Sequence, residues 1–138
     1  MRAVVDTNVV VSALHRPAGT PSAAVKAGLR GAFVWITSTE LLTELTSVLA
    51  RPRVRAWLPH DDEVLARFVG DIRDLAIIVE PTRRLDVSRD ADDNRVLEAA
   101  VAGNADCVVT GDRDLLELGS HEGMQIVTPA EFVKLLPR

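Results

Sequence analysis

The chain has 138 residues, 47% of them hydrophobic and 26% charged, a balance that excludes a disordered polymer and suits one domain, residues 1–138, with a core of its own. Its formal net charge of -4 excludes holding nucleic acid by bulk electrostatics alone, because phosphate contacts need clustered cations. No apolar run has the length of a bilayer span, so no membrane partner is expected.

In chain order, Ala3–Val5 reads as a short buried strand, and Asp6 follows it directly. A carboxylate so early interrupts any secretory apolar stretch, so the N-terminus reads as mature and the protein as cytoplasmic. Helical stretches are expected near Val9–Leu14 and Pro21–Arg30, the second opened by Thr20-Pro21. A second strand, Phe33–Thr37, leads into a helix over Thr39–Ala50 capped by Ser38 or Thr39. Arg51, Arg53 and Arg55 follow as one local basic cluster, and Arg83, Arg84 and Arg89 as another. Asp61–Leu75 carries Val64, Leu65, Phe68, Val69, Ile72 and Leu75 at the spacing of a helix with one buried face.

Strands are then expected at Ala76–Val79, Cys107–Thr110 and Gln125–Val127, separated by helices at Asn94–Ala102 and, after the cap Thr128-Pro129, Ala130–Leu136. Apolar strands alternating with amphipathic helices indicate an α/β domain with a mainly parallel sheet. The lone Cys107 lies in an apolar run and reads as core. His15, His60 and His121 are scattered, lack metal-ligand spacing and read as surface residues.

In open α/β sheets the ligand crevice lies beyond the carboxyl ends of the strands. Asp6 and Asp112 both follow strands, although each also suits a local role, Asp6 as a helix cap and Asp112 as a turn residue. Asp90, Asp92 and Asp93 crowd the start of one helix. Capping accounts for one carboxylate there, but three repel one another without a cation or solvent. Asp93 is the one expected to face the crevice, with Asp90 and Asp92 capping or solvated. On the Thr39–Ala50 helix, Glu44 lies about 105° and Glu40 about 145° from the middle of the apolar stripe, so Glu44 reaches the crevice and Glu40 faces water. Carboxylates converging without Cys or paired His ligands make a hard oxygen site that suits Mg²⁺ or Mn²⁺, one or two ions. With no serine or cysteine nucleophile motif, activated water attacking a phosphodiester is the expected chemistry.

These residues carry a resemblance. Val-Val-Asp6-Thr7-Asn8, Ser38-Thr39-Glu40-Leu-Leu-Thr-Glu44, Asp90-Ala-Asp-Asp93-Asn-Arg-Val-Leu-Glu and Val-Val-Thr110-Gly-Asp112-Arg-Asp114-Leu-Leu, in that order and spacing over nearly the whole chain, resemble PIN-domain proteins close to the VapC-type toxins of toxin–antitoxin systems. The resemblance implies a three-layer α/β/α domain around a central, mainly parallel sheet of about five strands. It implies an Mg²⁺- or Mn²⁺-dependent endoribonuclease with Asp6, Glu44, Asp93 and Asp112 at the acidic positions, and Thr7, Asn8, Thr110 and Asp114 lining or bracing the site. It further implies an RNA substrate, a homodimer and an antitoxin protein contacting the helices near Pro21–Arg30 and Glu40–Ala50. Arg51-Pro-Arg-Val-Arg followed by Trp57-Leu-Pro looks more like a related branch of PIN-type toxins. Two other readings differ in class: a catalytically silent PIN-like RNA-binding or protein-interaction module, and a phospho-accepting receiver domain. The second needs a lysine near the site, whereas Lys26 and Lys134 lie in expected helices.

Overall fold

The computed structural model describes residues 1–137. The chain folds as β1 (Arg2–Val5), α1 (Thr7–His15), α2 (Thr20–Leu29), β2 (Val34–Ser38), α3 (Thr39–Leu49), α4 (Pro52–Trp57), α5 (Asp62–Leu75), β3 (Ile77–Val79), α6 (Ala91–Ala102), β4 (Cys107–Val109), α7 (Arg113–Leu118), β5 (Ser120–His121), β6 (Met124–Val127) and α8 (Pro129–Leu135). Every strand and long helix expected from the sequence is present, with no end shifted by more than three residues. Three elements are additional. The six-residue helices α4 and α7 and the two-residue β5 are too short to show an apolar period.

Among the described residues the sheet has six strands in the order β3-β2-β1-β4-β6-β5. All pairings are parallel except β5 with β6, so the expected five-stranded parallel sheet gains one short antiparallel edge. β1 and β4 pair as Ala3↔Cys107, Val4↔Val108 and Val5↔Val109. Alternation along the strands splits the core in two. Ala3, Val5, Trp35, Cys107 and Val109 face the layer of α1, α2, α3, α5 and α8, while Val4, Ile36, Val108 and Ile126 face α6 and Leu115 of α7. Both faces of the central strands are therefore covered, which is the three-layer arrangement.

The chain starts in the middle of the sheet, builds outward through β2 and β3, then returns to the other side of β1 with β4. That reversal places a crevice beyond the carboxyl ends of β1 and β4, between loops that leave in opposite directions. Cys107 is buried, as expected. On α5, Leu65, Val69 and Ile72 are buried but Val64 and Leu75 are exposed, so the apolar face is narrower than its spacing suggested. Thr20 does not cap α2. Gly19 takes the N-cap position without a side-chain bond, whereas Ser38 caps α3 and Thr128 forms a capping box with Glu131. No helix of the described residues is long and apolar enough to cross a membrane.

Candidate active site

Asp6 leaves β1 at the switch point and is only 7% exposed. It occupies the N-cap position of α1, yet its carboxylate makes no capping bond. Instead Oδ2 accepts the Thr110 hydroxyl at 2.7 Å. Burial raises its pKa, and Asp112 adds to the rise. Thr110 and the amide dipoles of Asn8 and Thr7 oppose it. Thr7 is buried and Asn8 exposed.

Asp112 comes from the end of β4. Its Oδ1 accepts the amides of Asp114 at 2.8 Å and Leu115 at 3.2 Å, capping α7, and its own N–H donates to Thr110 Oγ1 at 3.0 Å. The capping role and the place beside Asp6 thus belong to one residue. Asp114 acts on the group through its backbone, while its carboxylate faces Arg89 at 3.5 Å.

Asp93, in the first turn of α6, is 4% exposed and accepts the Ser88 hydroxyl at 3.0 Å. Burial, then Asp112, Asp90 and Asp6, push its pKa up to about 7 against the Ser88 hydrogen bond. Glu44 is half-buried on α3. Its pKa also rises to about 7, through burial and then the charges of Asp92, Asp6 and Asp90, with Arg51 opposing. Glu40 is exposed, as its helical phase indicated, and pairs with Arg84 at 3.1 Å.

Asp6, Asp93 and Asp112 lie at one end of the sheet and Glu44 is near enough to sense the charge of Asp6, but the tightest grouping includes a residue the sequence assigned to capping. Asp90, Asp93 and Asp112 each offer a carboxylate oxygen, all within 4.8 Å of one another. Asp90 does cap α6, accepting the Asp92 amide at 2.9 Å, and its capping carboxylate also faces the crevice. Asp92 is exposed. Such an all-oxygen set fits a hard divalent cation, which would relieve the same repulsion that, after burial, raises the pKa of Asp93.

The supports of this group leave no mark in the hydrophobic pattern. Asn94 accepts the amides of Val87 and Ser88 at 2.9 and 2.8 Å and donates to the Ser88 carbonyl. Glu98, 2% exposed, accepts the Leu85 amide at 2.7 Å and pairs with Arg95 at 2.7 Å. Both side chains lie on α6 and hold the strandless segment that delivers Ser88 to Asp93.

The basic clusters are partly spent on the fold. Arg55 pairs with Asp62, Arg83 with Glu122 and Arg84 with Glu40 and Glu98. Arg51 and Arg53 form no ion pair among the described residues. The histidines are neither clustered nor fully exposed. His15 stacks on Trp57, His60 meets the Leu14 carbonyl and His121 meets Glu122.

Compared with known proteins, the chain matches the family model described as PIN domain over residues 2–114. It is 28% identical over 142 residues to the uncharacterized protein MJ1680 of Methanocaldococcus jannaschii, covering 97% of this chain and 90% of that protein. Two solved structures share its fold. One is VapBC2 from Rickettsia felis bound to a DNA fragment from their promoter, with a TM-score of 0.61, 13% identity and coverage of 93% of this chain and 98% of that one. The other is PAE2754 from Pyrobaculum aerophilum, with a TM-score of 0.61, 16% identity and coverage of 97% and 88%.

Proposed function

Since the chain belongs to the PIN-domain family, we propose that residues 1–138 act as one metal-dependent endoribonuclease that hydrolyses RNA phosphodiester bonds. The observation that carries this reading is the set of Asp90, Asp93 and Asp112 oxygens within 4.8 Å of one another, at the strand ends where Asp6 also emerges. Asp6, Asp93 and Asp112 are the proposed Mg²⁺ or Mn²⁺ ligands, with Asp90 completing the set and Glu44 at its margin. When bound, the ion would neutralise phosphate charge and favour ionisation of the attacking water.

The chain's own residues then divide the work. Thr110 fixes Asp6 and Asp112 relative to each other through its two hydrogen bonds. Ser88 orients Asp93. Glu44, with a pKa near 7, is poised to accept a proton from water close to neutrality. Thr7, Asn8 and Asp114 act on the carboxylates mainly through their backbone amides.

The toxin role in a toxin–antitoxin pair is the narrower form of the proposal. It draws on the fold shared with VapBC2 of Rickettsia felis. In this reading the protein is a cytoplasmic homodimer held in check by an antitoxin. The contact surface is α2 and α3, and on the α5 side of α3 a hollow of about 370 Å³ is lined by Thr46 and Leu49 of α3 and Leu65 and Val69 of α5.

The test is cleavage of single-stranded RNA by the purified chain in Mg²⁺ or Mn²⁺, repeated in excess chelator and with Asp112→Asn. Loss of about 10²-fold or more in rate is expected from the substitution. Cleavage that persists undiminished in chelator would overturn the assignment. RNA binding with no cleavage in either metal would instead favour a silent binding module.

A further inference from the structure

We propose that α4, with the Trp57–His15 stack at its end, is a docking platform for a single-stranded RNA segment beside the acidic centre. The identity of the polymer as RNA rests on the nuclease reading above. Only Val54 of α4 packs against the core, so core packing does not explain the exposed Arg51, Arg53 and Trp57. Arg51 and Arg53 are exposed and form no ion pair among the described residues, in a chain whose net charge is -4. Two cations left free on an acidic protein complement a polyanion.

Trp57 supplies the second half of the recognition. It is 49% exposed, with the His15 ring parallel to it at a centroid distance of 3.5 Å. His15 therefore backs one face of the indole and leaves the other to solvent. A rigid aromatic face beside arginines is the arrangement on which unpaired bases stack, tolerant of sequence because every base has a π-face. Arg53 and Trp57 are spaced i, i+4 and so share a side of the short helix. An acidic peptide would use the arginines and leave the ring idle, whereas a nucleotide uses both.

The location fits a substrate that also reaches the acids. Arg51 is the cation sensed by Glu44. His15 ends the nine-residue helix that begins just after Asp6, a separation of about 14 Å at roughly 1.5 Å per residue. That distance corresponds to about four stacked nucleotides at roughly 3.4 Å each. The platform would hold the strand a few nucleotides from the scissile phosphate.

The experiment titrates the full chain with an oligouridylate of roughly twelve nucleotides in excess chelator, so that binding is read without cleavage. Trp35 is 3% exposed, which makes Trp57 the fluorophore that responds. Quenching of tryptophan emission is expected, with affinity reduced about ten-fold or more by Arg53→Glu at an unchanged thermal midpoint. Trp57→Ala, which removes the responding fluorophore and is therefore read by the mobility shift of the labelled oligouridylate, should weaken binding. Should that variant lose its fold, Arg53→Glu decides alone, since Arg53 holds no ion-pair partner. Unaltered emission, or wild-type affinity in Arg53→Glu, overturns the platform, as does preference for polyglutamate over RNA. A parallel Mn²⁺ cleavage assay separates the two readings. Cleavage without quenching defeats only the platform, and quenching without cleavage defeats only the nuclease.

Discussion

Thr110 and Asp6 lie 104 positions apart in the chain, yet the threonine hydroxyl donates to the Asp6 carboxylate at 2.7 Å. The same oxygen accepts the Asp112 amide at 3.0 Å, so one buried side chain links the ends of β1 and β4. Thr110→Val keeps the shape and removes both bonds. Asp6, whose pKa burial already raises, then loses the principal contact that favours its ionised form. Affinity for Mn²⁺ should fall by about 10–100-fold, the usual effect of deleting a partner behind a metal ligand. Thr110→Ser should restore most of it. Calorimetric titration measures both, and a valine variant that binds Mn²⁺ as wild type refutes the linkage.

Divalent cations should also stabilise the fold. The site brings Asp90, Asp93 and Asp112 oxygens within 4.8 Å of one another, and a ligand that binds only the native state stabilises it by about 2.7 kcal/mol at a hundred times its Kd. For a domain of this size that is a rise in melting temperature of roughly 8–10 °C. Calorimetric scans with Mn²⁺ or chelator measure it. Asp112→Asn should abolish most of the increment, and equal melting temperatures in Mn²⁺ and chelator would remove the case for a cation site.

The pH dependence in chelator follows from two raised carboxyls. Asp93 and Glu44 titrate near 7 in the folded protein, against about 4 in an unfolded chain. Between those values the native state binds more protons than the unfolded state, so their contribution is fully present below about pH 4 and is lost as pH rises towards 7. Asp93→Asn should flatten this decline. Denaturant unfolding at several pH values compares the two proteins. A wild type whose stability, relative to Asp93→Asn, increases from pH 5 to 7 contradicts the direction.

These carboxyls were unequally legible in the sequence. Asp6 and Asp112 could be found because strand ends predict a crevice, and Glu44 because helical phase separates it from Glu40. Asp90 was hidden by sufficiency, since its local capping bond to Asp92 already explained an aspartate at that position. α4 and α7 lacked the length for a period. The path of the segment before α6 was equally invisible, because Asn94 and Glu98 hold amides six to thirteen residues upstream, and hydrophobic spacing carries no record of such bonds.

That segment yields a stability prediction. Glu98 is 2% exposed and answers both Arg95 and the Leu85 amide. Glu98→Ala leaves the Leu85 amide unpaired and takes from a largely buried guanidinium its nearest carboxylate, leaving it the Leu85 carbonyl at 3.2 Å and Glu40 at 4.0 Å, which should destabilise the protein by about 3 kcal/mol. Asn94→Ala should have a smaller effect on stability but should weaken Mn²⁺ binding, because Ser88 and hence Asp93 lose their support. Denaturant titration and calorimetry, run on both variants, distinguish these outcomes. Wild-type stability in Glu98→Ala rejects the clamp.

Two helical glycines should respond in opposite directions to the same substitution. Alanine favours a helix over glycine by about 1 kcal/mol. On α5, a Cβ at Gly70 meets nothing within 4 Å, so Gly70→Ala should stabilise by about 0.5–1 kcal/mol. On α2, a Cβ at Gly28 would lie 2.5 Å from Trp35 Cε3 and 2.9 Å from Phe33 Cζ. Both rings are buried and the helix packs directly on the strand carrying Trp35, so neither can withdraw cheaply. Overpacking of about 1–3 kcal/mol should therefore outweigh the helical gain, and Gly28→Ala should lower stability. Denaturant midpoints at constant slope test the pair. A stabilised Gly28→Ala would mean that α2 does not rest as closely on the sheet as this packing requires.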